Sequence, residues 1–165
     1  MTSIEDIGFI RQPVVTTDRV FMTDWVQAPF GATSGALDAN DAMGDPFGWN
    51  VPKYGKIVAV SLIDLDDDTL AATVHIFSAP FTAAASDAAF TISLLGDVRN
   101  WVTSQVMGTP TDIGAGKVVS NSGLGVYYYA PFGRLYAQLS TTGTPTIAGA
   151  ATMPIVQLAI LPMGN

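Results

Sequence analysis

The sequence predicts an all-β fold, a sandwich or barrel of short antiparallel strands, on three observations. No window of 11–18 residues sustains an apolar period of 3.6, and glycine or proline interrupts nearly every stretch that could be helical. Runs rich in β-branched residues recur instead, as in Ile57-Val58-Ala59-Val60-Ser61-Leu62-Ile63. Turn-forming residues bound each run, and no strand–helix–strand rhythm connects them.

Taken in chain order, residues 1–34 read as an N-terminal arm and loop, and residues 35–165 as the sandwich of a single domain. Ile4, Ile7, Phe9 and Ile10, followed by Pro13-Val14-Val15, are more apolar than a free arm needs. Such a segment either adds a strand to a neighbouring subunit or particle, or forms the first strand of the chain's own sandwich. From Thr23 to Pro52 aromatic residues, Trp25 and Trp49 among them, stand between glycines and prolines, the composition of an ordered loop.

Ile57–Ile63 and Ala72–Phe77, joined by the acidic turn Asp64-Leu65-Asp66-Asp67-Asp68, read together as a hairpin. Asp87–Phe90 and Asp97–Trp101 each suit a short helical turn with aspartate as N-cap. Further strands are expected at Ile92–Leu95, Lys117–Ser120, Val126–Tyr129, Arg134–Ser140 and Thr152–Leu161. Asn121-Ser122-Gly123 and Thr142-Gly143-Thr144-Pro145 supply turns between them. Pro154 lacks a ladder donor, which favours an edge or a bulge near the start of the last strand.

Charge is sparse and uneven. Charged residues are 13% of the chain, about half the ~25% of an ordinary soluble domain. Residues 1–100 carry 5 basic and 13 acidic side chains, a net of −8, whereas residues 101–165 carry only Asp112, Lys117 and Arg134, a net of +1. The C-terminal part is therefore suited to contact with another protein, where no charge would be stranded. A sequence pI near 4.2 argues against direct nucleic-acid binding.

No apolar run reaches the ~18–20 residues of a membrane span, so no membrane partner is expected. The first residues lack the basic and apolar regions of a secretory signal, so export by that route is not expected either. Absence of cysteine excludes disulfides, thiolate metal sites and cysteine nucleophiles.

Candidate chemistry is thin. Asp64, Asp66 and Asp68 have the spacing that opens a calcium loop, but Thr69 stands where such a loop has glycine, and His75 where it has glutamate. A solvated turn is the simpler reading. His75, the single imidazole, lies mid-strand with no nucleophile signature around it. Asp38, Asp41 and Asp45 could pair as carboxylates for glycoside hydrolysis, yet their turn-rich setting favours capping. Neither a phosphate loop nor a dinucleotide fingerprint occurs. We therefore expect no catalytic residues, no metal and no cofactor. In Tyr127-Tyr128-Tyr129 alternation sets Tyr128 opposite its neighbours and leaves at least one tyrosine at the surface, where tyrosine favours interfaces and sugar stacking.

From Gly35 onward the order of segments runs Asp38–Gly44, the strand Gly55–Ile63, His75-Ile76-Phe77-Ser78-Ala79-Pro80-Phe81, Ser86–Phe90, then Leu135–Leu139 before a Thr/Gly/Pro turn. This order resembles small virion structural proteins of tailed bacteriophages, jelly-roll proteins that decorate or cement the capsid. The resemblance implies a jelly-roll-like antiparallel β-sandwich that binds the major capsid protein lattice as a homotrimer, on the outer capsid of virions assembled in the host cytoplasm, without catalysis. Ile4, Ile7, Phe9, Ile10, Trp25, Trp49 and Tyr128 are the residues expected to meet a partner. The alternative is a host-recognition module, with Trp25, Trp49 or Tyr128 stacking sugars. A carbohydrate-processing enzyme would need an acid–base pair that the sequence lacks.

Overall fold

The computed structural model describes residues 19–31, 35–65, 70–147 and 149–164. The strands are β1 (Phe21–Met22), β2 (Val26–Gln27), β3 (Gly35–Ala36), β4 (Ala42–Asn50), β5 (Tyr54–Asp64), β6 (Ala72–Phe77), β7 (Trp101–Val106), β8 (Thr111–Asp112), β9 (Lys117–Tyr129), β10 (Arg134–Thr141), β11 (Thr146–Ile147) and β12 (Ile155–Pro162). One short helix, α1 (Leu95–Asn100), precedes β7, and a 3-10 turn at Ala150–Thr152 precedes β12.

Two antiparallel sheets form the sandwich. One runs β1-β12-β5-β9-β8 with β2 also on β12; the other runs β4-β10-β6-β7; β3 and β11 form a small separate pair. β1 and β2 lie end to end along β12, with Phe21 opposite Ile160 and Val26 opposite Val156. Thr23 fills the gap between them: its amide donates to the Leu158 carbonyl at 3.0 Å, and its hydroxyl accepts from the Leu158 amide at 2.9 Å. Counted as one strand, they begin a set of eight: the first, eighth, third and sixth make one sheet, and the second, seventh, fourth and fifth make the other. That connectivity is the double Greek key of a jelly roll.

Alternation along the strands builds the core. Ile57, Val60, Leu62, Val156, Leu158 and Ile160 from one sheet face Met43, Phe47, Trp49, Val74, Ile76, Leu135 and Leu139 from the other. A third layer covers the outside of the four-stranded sheet. The connection from Ser78 to Leu94 folds back over it, stacking Phe81 on Phe77 at 3.9 Å and Phe90 on His75 at 3.8 Å between ring centroids. Gln138, fully buried on this face, ties the cover down: its amide group accepts from the Ala84 amide and donates to the carbonyls of Ala84 and Gly44 at 2.7–3.1 Å.

Several expectations are corrected. The runs Ile57–Ile63 and Ala72–Phe77 are strands but not a hairpin, because β5 pairs with β12 and β9 while β6 pairs with β10 and β7. β5 and β6 belong to different sheets, and residues 66–69 between them lie outside the described residues. Asn121-Ser122-Gly123 is not a turn: β9 runs through it, and Gly123-Leu124-Gly125 bulge opposite Val58 alone, with Gly123 at φ +72. The loop assigned to Thr23–Pro52 contains β4, and since β1 and β2 belong to the larger sheet, the sandwich starts at Phe21, not at residue 35.

Ile92–Leu94 is not a strand and Leu95 opens α1, whose N-cap is Leu94, so that Asp97 sits inside the first turn. Asp87 caps no helix; it is a turn residue at φ +65. Thr152 belongs to the 3-10 turn, and β12 begins after Pro154. Ile4, Ile7, Phe9 and Ile10 lie outside the described residues.

Candidate functional site

His75 is held at both ring nitrogens. From the middle of β6 its Nδ1 is 2.7 Å from Ser104 Oγ on β7, and its Nε2 is 2.8 Å from Ser140 Oγ on β10. A neutral imidazole has one donor and one acceptor nitrogen, and each hydroxyl can supply the complement. Phe90 roofs the ring. Burial pushes the imidazole down to about 4, which makes it a poor base at neutral pH. Ser140 is itself buried, and Ser104, half-buried, also accepts from the Trp101 indole N–H at 3.1 Å, so the arrangement staples three strands.

The carboxylates serve the backbone. Asp41 accepts from the Asp38 amide at 2.8 Å and its own amide donates to the Asp38 carbonyl, closing a turn around Asn40. Asp45 is exposed and draws no partner carboxylate into this turn. Asp64, almost fully buried, accepts from the Leu70 amide at 3.3 Å; Asp66 and Asp68 lie outside the described residues. Among the described residues no three acidic or histidine side chains are grouped to hold a metal ion.

The structure separates the aromatic residues expected at a partner surface. Trp25 is exposed in the β1–β2 connection. Trp49, by contrast, is core: it is 2% exposed, packs edge-on against Phe47, and donates its indole N–H across the sandwich to the Val156 carbonyl at 3.2 Å. Tyr128 is also buried, beneath Gly55, while Tyr127 and Tyr129 turn outward. The alternation across the three tyrosines is present with the faces exchanged. Neither Trp49 nor Tyr128 can stack on a sugar or a partner as placed.

Two concavities accompany these residues. Where the edges β1/β2 and β4 approach each other, a groove of about 300 Å³ is lined by Phe21, Met22, Asp24, Val26, Gly48, Trp49 and Asn50. At the far end of β5, Tyr54 and Tyr129 stack at 4.8 Å beside Lys53 and Gly164, in an open cleft of about 480 Å³. Nearby Lys56 lies over the Tyr127 ring.

The broadest candidate surface is the outer face of the six-stranded sheet. Ala59, Ser61 and Ile63 of β5 lie beside Ala159, Gln157 and Ile155 of β12 and beside Ser122, Ser120 and Val118 of β9. Ser61 and Ser120 join hydroxyls across it at 2.7 Å. Among the described residues of these three strands, Lys56 is the charged side chain on this face. Sequence reasoning found the scarcity of charge but not the face that collects it. It also missed Tyr54 and the exposed apolar patch of Leu94, Leu95, Val98 and Trp101 on and around α1, and from the tyrosine run it chose Tyr128 where Tyr127 and Tyr129 are the exposed members.

No helix among the described residues is long and apolar enough to cross a membrane. Comparison of the chain with protein-family models, with curated proteins and with solved structures finds no match.

Proposed function

We propose that the chain is a non-enzymatic structural protein of a bacteriophage virion, one that decorates and stabilises the capsid by binding the major capsid protein lattice, as a homotrimer. The observation that carries this reading is the outer face of β12, β5 and β9, where alanine, serine and aliphatic side chains predominate and Lys56, beside Tyr127, is the charged group. Such a face loses little by desolvation when a second protein covers it. The jelly roll hosts many functions, so the weight rests on this surface and on the resemblance of segment order. An acidic balance of −7 also keeps decorated particles apart. Multivalency then does the stabilising, since a trimer with three modest footholds binds far more tightly than one subunit.

The test is light scattering on the purified chain followed by sedimentation with undecorated capsids. A trimer that travels with the particles supports the proposal; a monomer that stays in the supernatant overturns it. A second reading, recognition of a host glycan, is favoured by the Tyr54–Tyr129 stack beside Lys53. Glycan-array binding that Tyr129→Ala abolishes would put that reading first.

A further inference from the structure

Helix α1 is turned inside out. Its buried residue is the aspartate: Asp97 is 8% exposed and its carboxylate accepts from the Thr82 amide at 3.1 Å. Its apolar residues Leu95 and Val98 face solvent, 67% and 48% exposed, and they are flanked by Leu94 at the N-cap, 52% exposed, and by Trp101 at the start of β7, 46% exposed. Leu95 and Val98, three residues apart, share one face of the helix, and Leu94 and Trp101 extend the exposed apolar patch at its two ends. A surface helix ordinarily buries such a patch, and this one adjoins β7, the edge strand of the four-stranded sheet. Arg99 is exposed within the same helix.

The first 18 residues contain a segment that fits it. Ile4, Ile7, Phe9 and Ile10 are apolar, and Glu5 and Asp6 between them complement Arg99. The described chain begins at Arg19 and enters β1, an edge of the other sheet. In the jelly-roll order that edge lies beside β4, whereas β7 lies at the opposite side, beside β9. Eighteen extended residues span up to about 60 Å, several times the roughly 15 Å across a four-stranded sheet.

We propose that the α1 patch is the docking surface for the N-terminal segment of a neighbouring copy of this chain. The contact is head-to-tail: the segment leaves one side of a protomer and lands on the opposite side of the next. Such heterologous contacts close into a ring when the rotation allows. The choice of a neighbouring copy over the chain's own arm rests on the proposed role as an assembling structural protein.

Because the chain has no cysteine, disulfide trapping has no background. Full-length Ile7→Cys and full-length Leu95→Cys, one carrying a mass tag, are mixed and oxidised, then run on a non-reducing gel. The mixed disulfide dimer is expected at several-fold the yield obtained when Thr142→Cys, also exposed, replaces Leu95→Cys. Equal yields overturn the proposal. So does a chain carrying both Ile7→Cys and Leu95→Cys that cross-links only within itself. Light scattering of full-length Val98→Asp gives a second reading: the oligomer is expected to fall to monomer mass, and an unchanged mass overturns the proposal. Neither readout uses capsids, so loss of capsid sedimentation with the cross-link intact strikes the capsid reading alone.

Discussion

His75 and Phe90 lie face to face, their ring centroids 3.8 Å apart and their planes 10° from parallel. The ring that links β6 to β7 and β10 is thereby sealed by the connection that covers the sheet. Protonation would place a charge under this roof and leave both nitrogens as donors.

This predicts a stability change at mildly acidic pH. Burial holds His75 near 4 in the folded chain, against 6.5 when unfolded. Its neutral form is favoured by folding, so its contribution is fully present above pH 6.5 and is lost as pH falls from 6.5 towards 4. The loss should be roughly 1–2 kcal/mol, allowing for solvent screening at a partly exposed ring. Urea melts at pH 7.5 and 5.0 should differ by that amount in the native chain and by clearly less in His75→Gln; equal differences would show that other groups carry the effect.

Tyr128 gives the opposite kind of prediction. Its hydroxyl is buried without a hydrogen-bond partner among the described residues, and burial pushes it up to about 12. Tyr128→Phe should keep or raise stability, by up to about 1 kcal/mol, because it deletes an unsatisfied group. Tyr128→Ala should cost about 3–5 kcal/mol through the cavity it opens. Thermal melts of both variants check this, and a large loss in the phenylalanine variant would reveal a partner for the hydroxyl.

Trp49 joins the sheets through its bond to the Val156 carbonyl. Trp49→Phe should therefore destabilise the chain by about 1–3 kcal/mol, from lost volume and the lost bond between the sheets. Denaturant midpoints measure it. Surface binding of any kind should be unaffected once the variant is folded.

Gln138→Ala unpins the Ser78–Leu94 cover, leaving the Ala84 amide and the carbonyls of Ala84 and Gly44 without that partner. The expected cost is about 2–4 kcal/mol. Limited proteolysis should show new cleavage between Ser78 and Leu94 before the strands are cut. Cleavage that begins elsewhere would mean that Phe81 and Phe90 hold the cover by themselves.

The strongest strands were legible in the sequence, and their partners were not. Ile57–Ile63 and Ala72–Phe77 announce themselves by β-branched content, but pairing is decided by residues far along the chain, such as Leu158 opposite Val60 and Leu139 opposite Val74. β4 was hidden because Gly44, Pro46 and Gly48 are poor strand formers. It is an edge strand whose pairing with β10 is irregular between Ala137 and Leu139, where a proline is tolerated. Gly123 serves a bulge as readily as a turn, since both use positive φ. Alternation set Tyr128 against Tyr127 and Tyr129, yet a period of two cannot say which side is the core.

β12, between β5 and the β1/β2 pair, has a consequence for biosynthesis. Of the described strands, β1 and β2 are synthesised well before the strand they pair with, since Phe21 waits for Ile160 and Val26 for Val156. Closure of this edge of the sheet is then post-translational, and such long-range pairing is expected to slow folding. A chain stopped before Ile155 would lack the middle of its larger sheet, leaving two unpaired edges for chaperones or proteases to find.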